Sequence, residues 1–103
     1  MNSVARKETI LVVDDSASIR DMVSFTLESA GFESHVKCDG VEALEFASDN
    51  PVSAVVTDVN MPRMDGITLI TELRKLDAYK YTPILVLTTE SGVGKKLTGK
   101  AAE

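Results

Sequence analysis

Polar residues that could do chemistry follow three separate apolar runs of the sequence. Asp14 and Asp15 follow the first run, Asp58 follows a second, and Thr88 follows a third. If these runs are parallel strands of one open sheet, their carboxyl ends meet in the crevice where such sheets bind ligands. The sequence therefore predicts one site that contains three carboxylates and a hydroxyl group.

Three carboxylates in one pocket indicate phosphoryl chemistry assisted by a cation. Each carboxylate raises the pKa of its neighbours unless a positive charge intervenes. Mg²⁺ is suited to that position, because it prefers oxygen ligands and combines one or two carboxylates with phosphate oxygens. Asp58 could then act as a nucleophile and form an aspartyl phosphate. Thr88 is placed to donate a hydrogen bond to the phosphoryl group, and backbone N–H groups after Asp58 could cradle it.

Each of these residues also has a purely structural interpretation. A residue in the segment 14–16 could cap the helix that follows it. Asp58 could be a turn residue, and Thr88 could cap the last predicted helix. The shared position at the same end of successive strands favours a common site.

The elements that would position the site alternate between strand and helix. Apolar runs rich in β-branched residues predict strands at 9–13, 32–37, 54–57 and 84–87. Residues at helical spacing predict three helices between them, and a weak fourth helix is expected at 91–102. This alternation predicts βαβ units and hence an α/β fold with a parallel sheet.

Local signals place the ends of two helices. The first helix carries an apolar stripe that we expect to be core, and Gly31 is expected to stop it. Asp39 with Glu42 three residues on resembles a capping box and predicts the start of the second helix. The stripe of the first helix consists of Ile19, Met22, Val23, Leu27 and Ala30.

Composition limits the classes of protein. The chain has 103 residues and a net charge of −5, which argues against binding to nucleic acid or to an anionic membrane. Its one cysteine, Cys38, cannot form an internal disulfide, and no apolar run approaches the ~18 residues of a membrane span. We expect a polar lead-in at 1–8, one domain at 9–103 and a cytoplasmic protein.

Three segments together resemble a known family. ILVVDDSASIR, VVTDVNMPRMDGI and TPILVLTTES are similar to the receiver domains of bacterial two-component response regulators, the chemotaxis type above all. The resemblance implies a flavodoxin-like (CheY-like) doubly wound sheet with strand order 2-1-3-4. It also implies a signalling phosphoacceptor that takes its phosphoryl group from a histidine kinase, rather than an enzyme.

The resemblance assigns roles residue by residue. Asp58 matches the phosphoacceptor, and Asp14 and Asp15 match the acidic pair that holds Mg²⁺. Asn60 matches the position whose backbone carbonyl binds the metal. Thr88 matches the hydroxyl residue that moves toward the phosphoryl group. In the loop after the acceptor, Pro62 is expected to fix φ and Gly66 to adopt a positive φ.

The sequence departs from the family pattern at its C-terminal end. Family members continue with a fifth strand that ends in a Lys-Pro pair, and then with a fifth helix. Lys95, Lys96 and Lys100 do not match that lysine. We therefore expect an incomplete receiver that is labelled slowly and forms a homodimer through the exposed edge of the fourth strand.

The downstream target stays open, and so does a second class of function. For a chemotaxis-type protein the target would be the flagellar motor switch. A Mg²⁺-dependent phosphatase with an aspartate nucleophile is the alternative. Such enzymes usually carry a second acid two residues after the nucleophile, and here that position is Asn60, which argues against a phosphatase.

Overall fold

The computed structural model describes residues 8–87, which form a four-stranded parallel sheet flanked by helices on both faces. The strands are β1 (Thr9–Val13), β2 (Glu33–Lys37), β3 (Ala54–Asp58) and β4 (Ile84–Leu87). The helices are α1 (Ala17–Ser29), α2 (Gly40–Asp49) and α3 (Gly66–Arg74), followed by a short 3-10 helix at Asp77–Tyr79. Each predicted strand is present within one residue of its expected ends.

The strand order is β2-β1-β3-β4, with every neighbouring pair parallel, which confirms the expected flavodoxin-like topology. Val13 at the end of β1 lies opposite Thr57 in β3, one residue before Asp58. The order reverses between β1 and β3, so their carboxyl ends flank the crevice in which such sheets bind ligands.

Alternating side chains of the strands build a core on each face of the sheet. Leu11, Val13 and Val55 point to the face covered by α2 and α3, where Leu69 and Leu73 are fully buried beside them. Burying one such side chain contributes about 1.5–3 kcal/mol to folding. This larger cluster fixes α3, and thereby the loop that joins α3 to the end of β3.

The opposite face is packed less deeply than the sequence suggests. The expectation that the stripe of α1 is core is wrong for Met22, which is 56% exposed, and no residue of α1 is fully buried. Val23 and Leu27 alone from α1 pack, partly buried, against the small cluster on this face. α1 is the only helix within residues 8–87 that contributes to this cluster, so its flanks stay accessible to solvent.

The helices begin and end where local chemistry directs. Gly31 follows α1 with φ +98°, a left-handed conformation that glycine adopts without strain. Asp39 caps α2 by accepting a hydrogen bond from the backbone N–H of Glu42 at 2.9 Å. The reciprocal half of a capping box is absent, since the Glu42 carboxylate accepts from Cys38 Sγ at 3.4 Å instead.

Several sequence-based expectations fall outside residues 8–87. They concern Thr88, the helix at 91–102 and the lysines at 95, 96 and 100. Among the helices that the structure describes, none is long and apolar enough to cross a lipid bilayer.

Candidate functional site

The three aspartates predicted to share a site do converge. One carboxylate oxygen each from Asp14, Asp15 and Asp58 lies within 4.8 Å of the others. Asp14 directly follows β1 and Asp58 is the last residue of β3, so adjacent parallel strands deliver both to the same edge. Asp14 and Asp58 are buried, whereas Asp15 is exposed. The site is thus open on the side of Asp15.

Asp14 is held by contacts to its backbone and to one carboxylate oxygen. Its N–H donates to the carbonyl of Lys37 at 3.1 Å, and its carbonyl accepts from Arg20 Nη1 at 2.8 Å. Its Oδ1 accepts from the N–H of Ser16 at 2.9 Å. Its Oδ2 is buried and has no hydrogen-bond partner among the described residues. A buried acceptor without a partner is costly, and a bound cation would satisfy it.

The helix that follows the acidic pair is capped by neither aspartate. Ser16 is the N-cap of α1, and its Oγ accepts from the N–H of Ile19 at 3.3 Å. Of the three capping interpretations of residues 14–16, only the one for Ser16 is correct. Asp14 Oδ2 and the exposed Asp15 carboxylate therefore remain available to a ligand.

Asp58 is engaged through one oxygen. Its Oδ1 accepts from the N–H of Val59 at 2.8 Å, and its backbone carbonyl accepts from Thr57 Oγ1 at 2.9 Å. Burial raises the pKa of Asp58 above its usual value; the Val59 N–H opposes this shift, and the charges of Asp14 and Asp15 add to it.

Asp14 experiences a similar environment. Burial raises the pKa of Asp14, the Ser16 N–H opposes the shift, and the charge of Asp15 adds to it. A carboxylate with a raised folded-state pKa disfavours folding; the penalty is complete above that pKa and disappears as pH falls from it toward the unfolded-state pKa. A divalent cation would relieve the same penalty at neutral pH. The donor set therefore fits a hard cation with oxygen ligands.

The loop after Asp58 differs in one respect from expectation. A positive φ at Gly66 was expected and is wrong; among residues 8–87 the positive φ values belong to Gly31 and Arg63. Gly66 is needed for space instead, because a Cβ there would lie 2.1 Å from the carbonyl oxygen of Asp58. Its N–H donates to the carbonyl of Val59 at 2.8 Å, which closes the loop against the end of β3.

Asn60 and Thr88 were also predicted to belong to the site. Asn60 is exposed in the same loop, two residues after Asp58, and the metal-binding role of its carbonyl stays a prediction. Thr88 lies beyond the described residues.

Sequence reasoning missed two arginines near the site. The Arg20 side chain donates to the Asp14 carbonyl, and the Arg63 side chain donates to the Asp39 carboxylate. Their side chains reach partners six and 24 residues away, which no local pattern reveals.

A second acidic group does not match a metal site as well. Cys38, Asp39 and Glu42 also bring one ligand atom each within 4.8 Å of one another. Both carboxylate oxygens of Asp39 are already bound to Arg63, and Cys38 Sγ donates to Glu42. The possible ligand atoms of this second group therefore already have hydrogen-bond partners, whereas Asp14 Oδ2 has none among residues 8–87.

Comparison with known proteins identifies relatives across nearly the whole chain. Residues 10–102 match the family described as Response regulator receiver domain. The transcriptional regulatory protein PrrA of Mycobacterium tuberculosis is 35% identical over 102 residues, which cover 99% of this chain and 43% of PrrA. The response regulator MprA of a Mycobacterium species is 40% identical over 90 residues, or 87% of this chain and 38% of MprA. This chain thus spans less than half the length of these curated relatives.

Solved structures give the same picture for the fold. The chemotaxis response regulator CheY4 of Vibrio cholerae superimposes with a TM-score of 0.80 at 46% identity, over 84% of this chain and 72% of that one. A response regulator receiver protein from Pseudomonas putida superimposes with a TM-score of 0.77 at 26% identity, over 86% and 74% of the two chains.

Proposed function

The chain belongs to the response-regulator receiver domains, and on that premise we propose that Asp58 accepts a phosphoryl group from a histidine kinase in a Mg²⁺-dependent reaction. The observation that carries this proposal is the convergence of three carboxylates, one of which, Asp14, has a buried oxygen without a partner in the described part of the chain. Asp14, Asp15, Asp58 and the carbonyl of Asn60 would hold the metal.

Each group of the site has a separate role in phosphoryl transfer. When bound, Mg²⁺ would offset the negative charge of the carboxylates and of the incoming phosphoryl group. A carboxylate oxygen of Asp58 attacks the phosphorus and forms an O–P bond, while the P–N bond to the donor imidazole breaks. The imidazole nitrogen keeps the electron pair and takes a proton from water. Val59 N–H fixes the orientation of the Asp58 carboxylate, and we assign to Thr88 a hydrogen bond to the phosphoryl oxygens.

Stoichiometry separates this function from that of a Mg²⁺-dependent phosphatase. With acetyl phosphate and Mg²⁺, the chain should incorporate up to one phosphoryl group per molecule as an acyl phosphate that alkali and hydroxylamine cleave. Incubation with a panel of small phosphomonoesters should release no more phosphate than buffer does. Sustained turnover of a phosphomonoester would favour the phosphatase. The residue two positions after Asp58 is Asn60 rather than an acid, which supports the phosphoacceptor.

For the output of the signal we infer the chemotaxis type, with the flagellar motor switch as the downstream target. The 46% identity to CheY4 of Vibrio cholerae supports this inference. PrrA, a transcriptional regulatory protein, is 35% identical over 99% of this chain, and MprA is 40% identical over 87% of it. Binding of the phosphorylated chain to a purified motor switch protein, and its absence without phosphorylation, is the expected result.

We also propose that the chain forms a homodimer through the edge of β4. Within residues 8–87, β4 pairs with β3 alone, and its Leu85 is 50% exposed. An apolar strand edge favours pairing with a second chain. Light scattering should detect a dimer that Leu85→Lys weakens, because a charge on an edge strand opposes pairing. Ile67→Lys, at an equally exposed position on α3, should leave the dimer intact. A wild-type monomer that persists at high concentration would contradict the proposal.

A further inference from the structure

The loop between β3 and α3 carries two backbone groups of the proposed site, the N–H of Val59 and the carbonyl of Asn60. It spans residues 59–65, and its first N–H, from Val59, donates to the acceptor carboxylate of Asp58 at 2.8 Å. Asn60, the proposed source of a metal-binding carbonyl, is the next residue. The backbone conformation of this loop therefore decides where the N–H and the carbonyl point.

Arg63 in the middle of this loop adopts an unfavourable backbone conformation. Its φ is 68°, and it is the only residue other than glycine with a positive φ among residues 8–87. The N–H of Met64 donates to the carbonyl of Pro62 at 2.7 Å, which closes a tight three-residue turn around it. A side chain with a Cβ persists in this region only where surrounding contacts hold it.

The start of α2 supplies those contacts. Arg63 Nε donates to Asp39 Oδ2 at 2.9 Å and its Nη2 donates to Oδ1 at 3.1 Å, a two-pronged ion pair. Asp39 is only 4% exposed and is fixed further by the N–H of Glu42. The next residue, Gly40, donates its N–H to the carbonyl of Met64 at 3.2 Å. Arg63 and Met64 of the loop are thus bound to Asp39 and Gly40 at the start of α2.

From this arrangement we propose that Arg63 and Asp39 form a loop clamp that positions the loop after Asp58 for metal binding and phosphorylation. The proposal rests on the proposed function, because it concerns the same site. Neither residue belongs to the converging carboxylates, so both are positioning residues. The clamp acts by reducing the conformations open to the loop before a metal or a phosphoryl donor arrives.

Three variants isolate the clamp from general damage to the fold. Arg63→Gly removes the ion pair and also the cause of backbone strain, so the turn can still form. Asp39→Asn removes the charge but keeps a residue that caps helices well. Lys75→Gln is the control, since it removes one positive charge from an exposed ion pair with Glu72.

The first readout is independent of any phosphorylation. Amide hydrogen exchange by nuclear magnetic resonance should become faster at Val59, Met64 and Gly66 in Arg63→Gly, because the loop opens more often. Lys75→Gln should leave these rates unchanged. Unchanged exchange in Arg63→Gly would overturn the clamp, whatever the function of the site.

The second readout connects the clamp to the site. The Mg²⁺ concentration that gives half the maximal rate of labelling by acetyl phosphate should rise about tenfold in Arg63→Gly and in Asp39→Asn, the usual scale for residues that orient metal ligands. The rate at saturating Mg²⁺ should stay close to that of the wild type. The double variant should show no further increase, and Arg63→Lys should recover part of the loss.

The possible outcomes separate the two proposals. A tenfold shift that is not additive in the double variant supports the clamp. Two results would overturn the action of the clamp on the site. One is faster amide exchange in Arg63→Gly with an unchanged Mg²⁺ requirement. The other is a double variant in which the effects of the two substitutions add. If the wild type shows no Mg²⁺-dependent labelling, the proposed function fails, and the exchange rates alone then decide whether the clamp exists.

Discussion

Replacement of Asp15 by alanine should lower the affinity of the chain for Mg²⁺ by at least about tenfold, since loss even of a residue that only orients a ligand has that effect. Asp15 is exposed, so the substitution removes a carboxylate without opening a cavity. Isothermal titration calorimetry measures the affinity directly. Asp49→Ala is the matched control, because Asp49 is an exposed aspartate at the end of α2.

The pH dependence of that affinity has a definite direction. Mg²⁺ requires ionised carboxylates, and burial raises the pKa of both Asp14 and Asp58. Protons should therefore compete with the metal at a higher pH than they would at ordinary carboxylates. Affinity should fall as pH is lowered, and the fall should begin at a higher pH than at a site built from exposed carboxylates. Equal affinity in wild type and Asp15→Ala, or affinity that stays unchanged down to the pH at which ordinary carboxylates become protonated, would contradict the metal assignment.

Gly66→Ala should damage both the fold and the site. The added Cβ would lie 2.1 Å from the carbonyl oxygen of Asp58 and 3.1 Å from Cα of Val59, so the backbone at the acceptor must shift. Overpacking of this kind costs about 1–3 kcal/mol of unfolding free energy, measurable by chemical denaturation. The initial rate of labelling at Asp58 should fall severely under conditions in which the variant remains folded.

Gly31→Ala provides the control for loss of stability alone. Gly31 has φ +98°, and a Cβ added there would meet no group of residues 8–87 within 4 Å, so alanine introduces strain of about 1–2 kcal/mol without a clash in this part of the chain. Gly31 follows α1, well before the acceptor in the chain. Its substitution should lower stability to a similar extent and leave labelling intact. A Gly66→Ala variant labelled as fast as Gly31→Ala would contradict the close-packing role of Gly66.

The topology and the convergence of the aspartates could be predicted from the sequence because both follow from strong, local signals. The run at 9–13 and the run at 54–57 are apolar and β-branched, as buried parallel strands are, and their ends meet by the geometry of the sheet. Asp58 itself extends β3 by one residue beyond the predicted end. Strand patterns thus determine which carboxylates share a pocket.

The details that failed depend on tertiary contacts. A positive φ was assigned to Gly66 because glycine tolerates it, yet Arg63 carries it, since an ion pair with Asp39 holds the strained turn. Helix α1 has an apolar stripe, but the stripe does not reveal whether another segment covers it, and Met22 is 56% exposed. Neither outcome can be derived from residue types and spacing, because each depends on which distant segment lies nearby.

The most direct test of the account is to locate the phosphoryl group. The wild-type chain is incubated with acetyl phosphate with and without Mg²⁺, digested, and mapped by mass spectrometry, alongside Asp58→Asn and the control Asp49→Asn. We predict that the label depends on Mg²⁺, resides on the peptide that contains Asp58, disappears in Asp58→Asn and persists in Asp49→Asn. A label that persists in Asp58→Asn, or a wild-type chain that takes up none with Mg²⁺ present, would contradict the assignment of Asp58 as the phosphoacceptor.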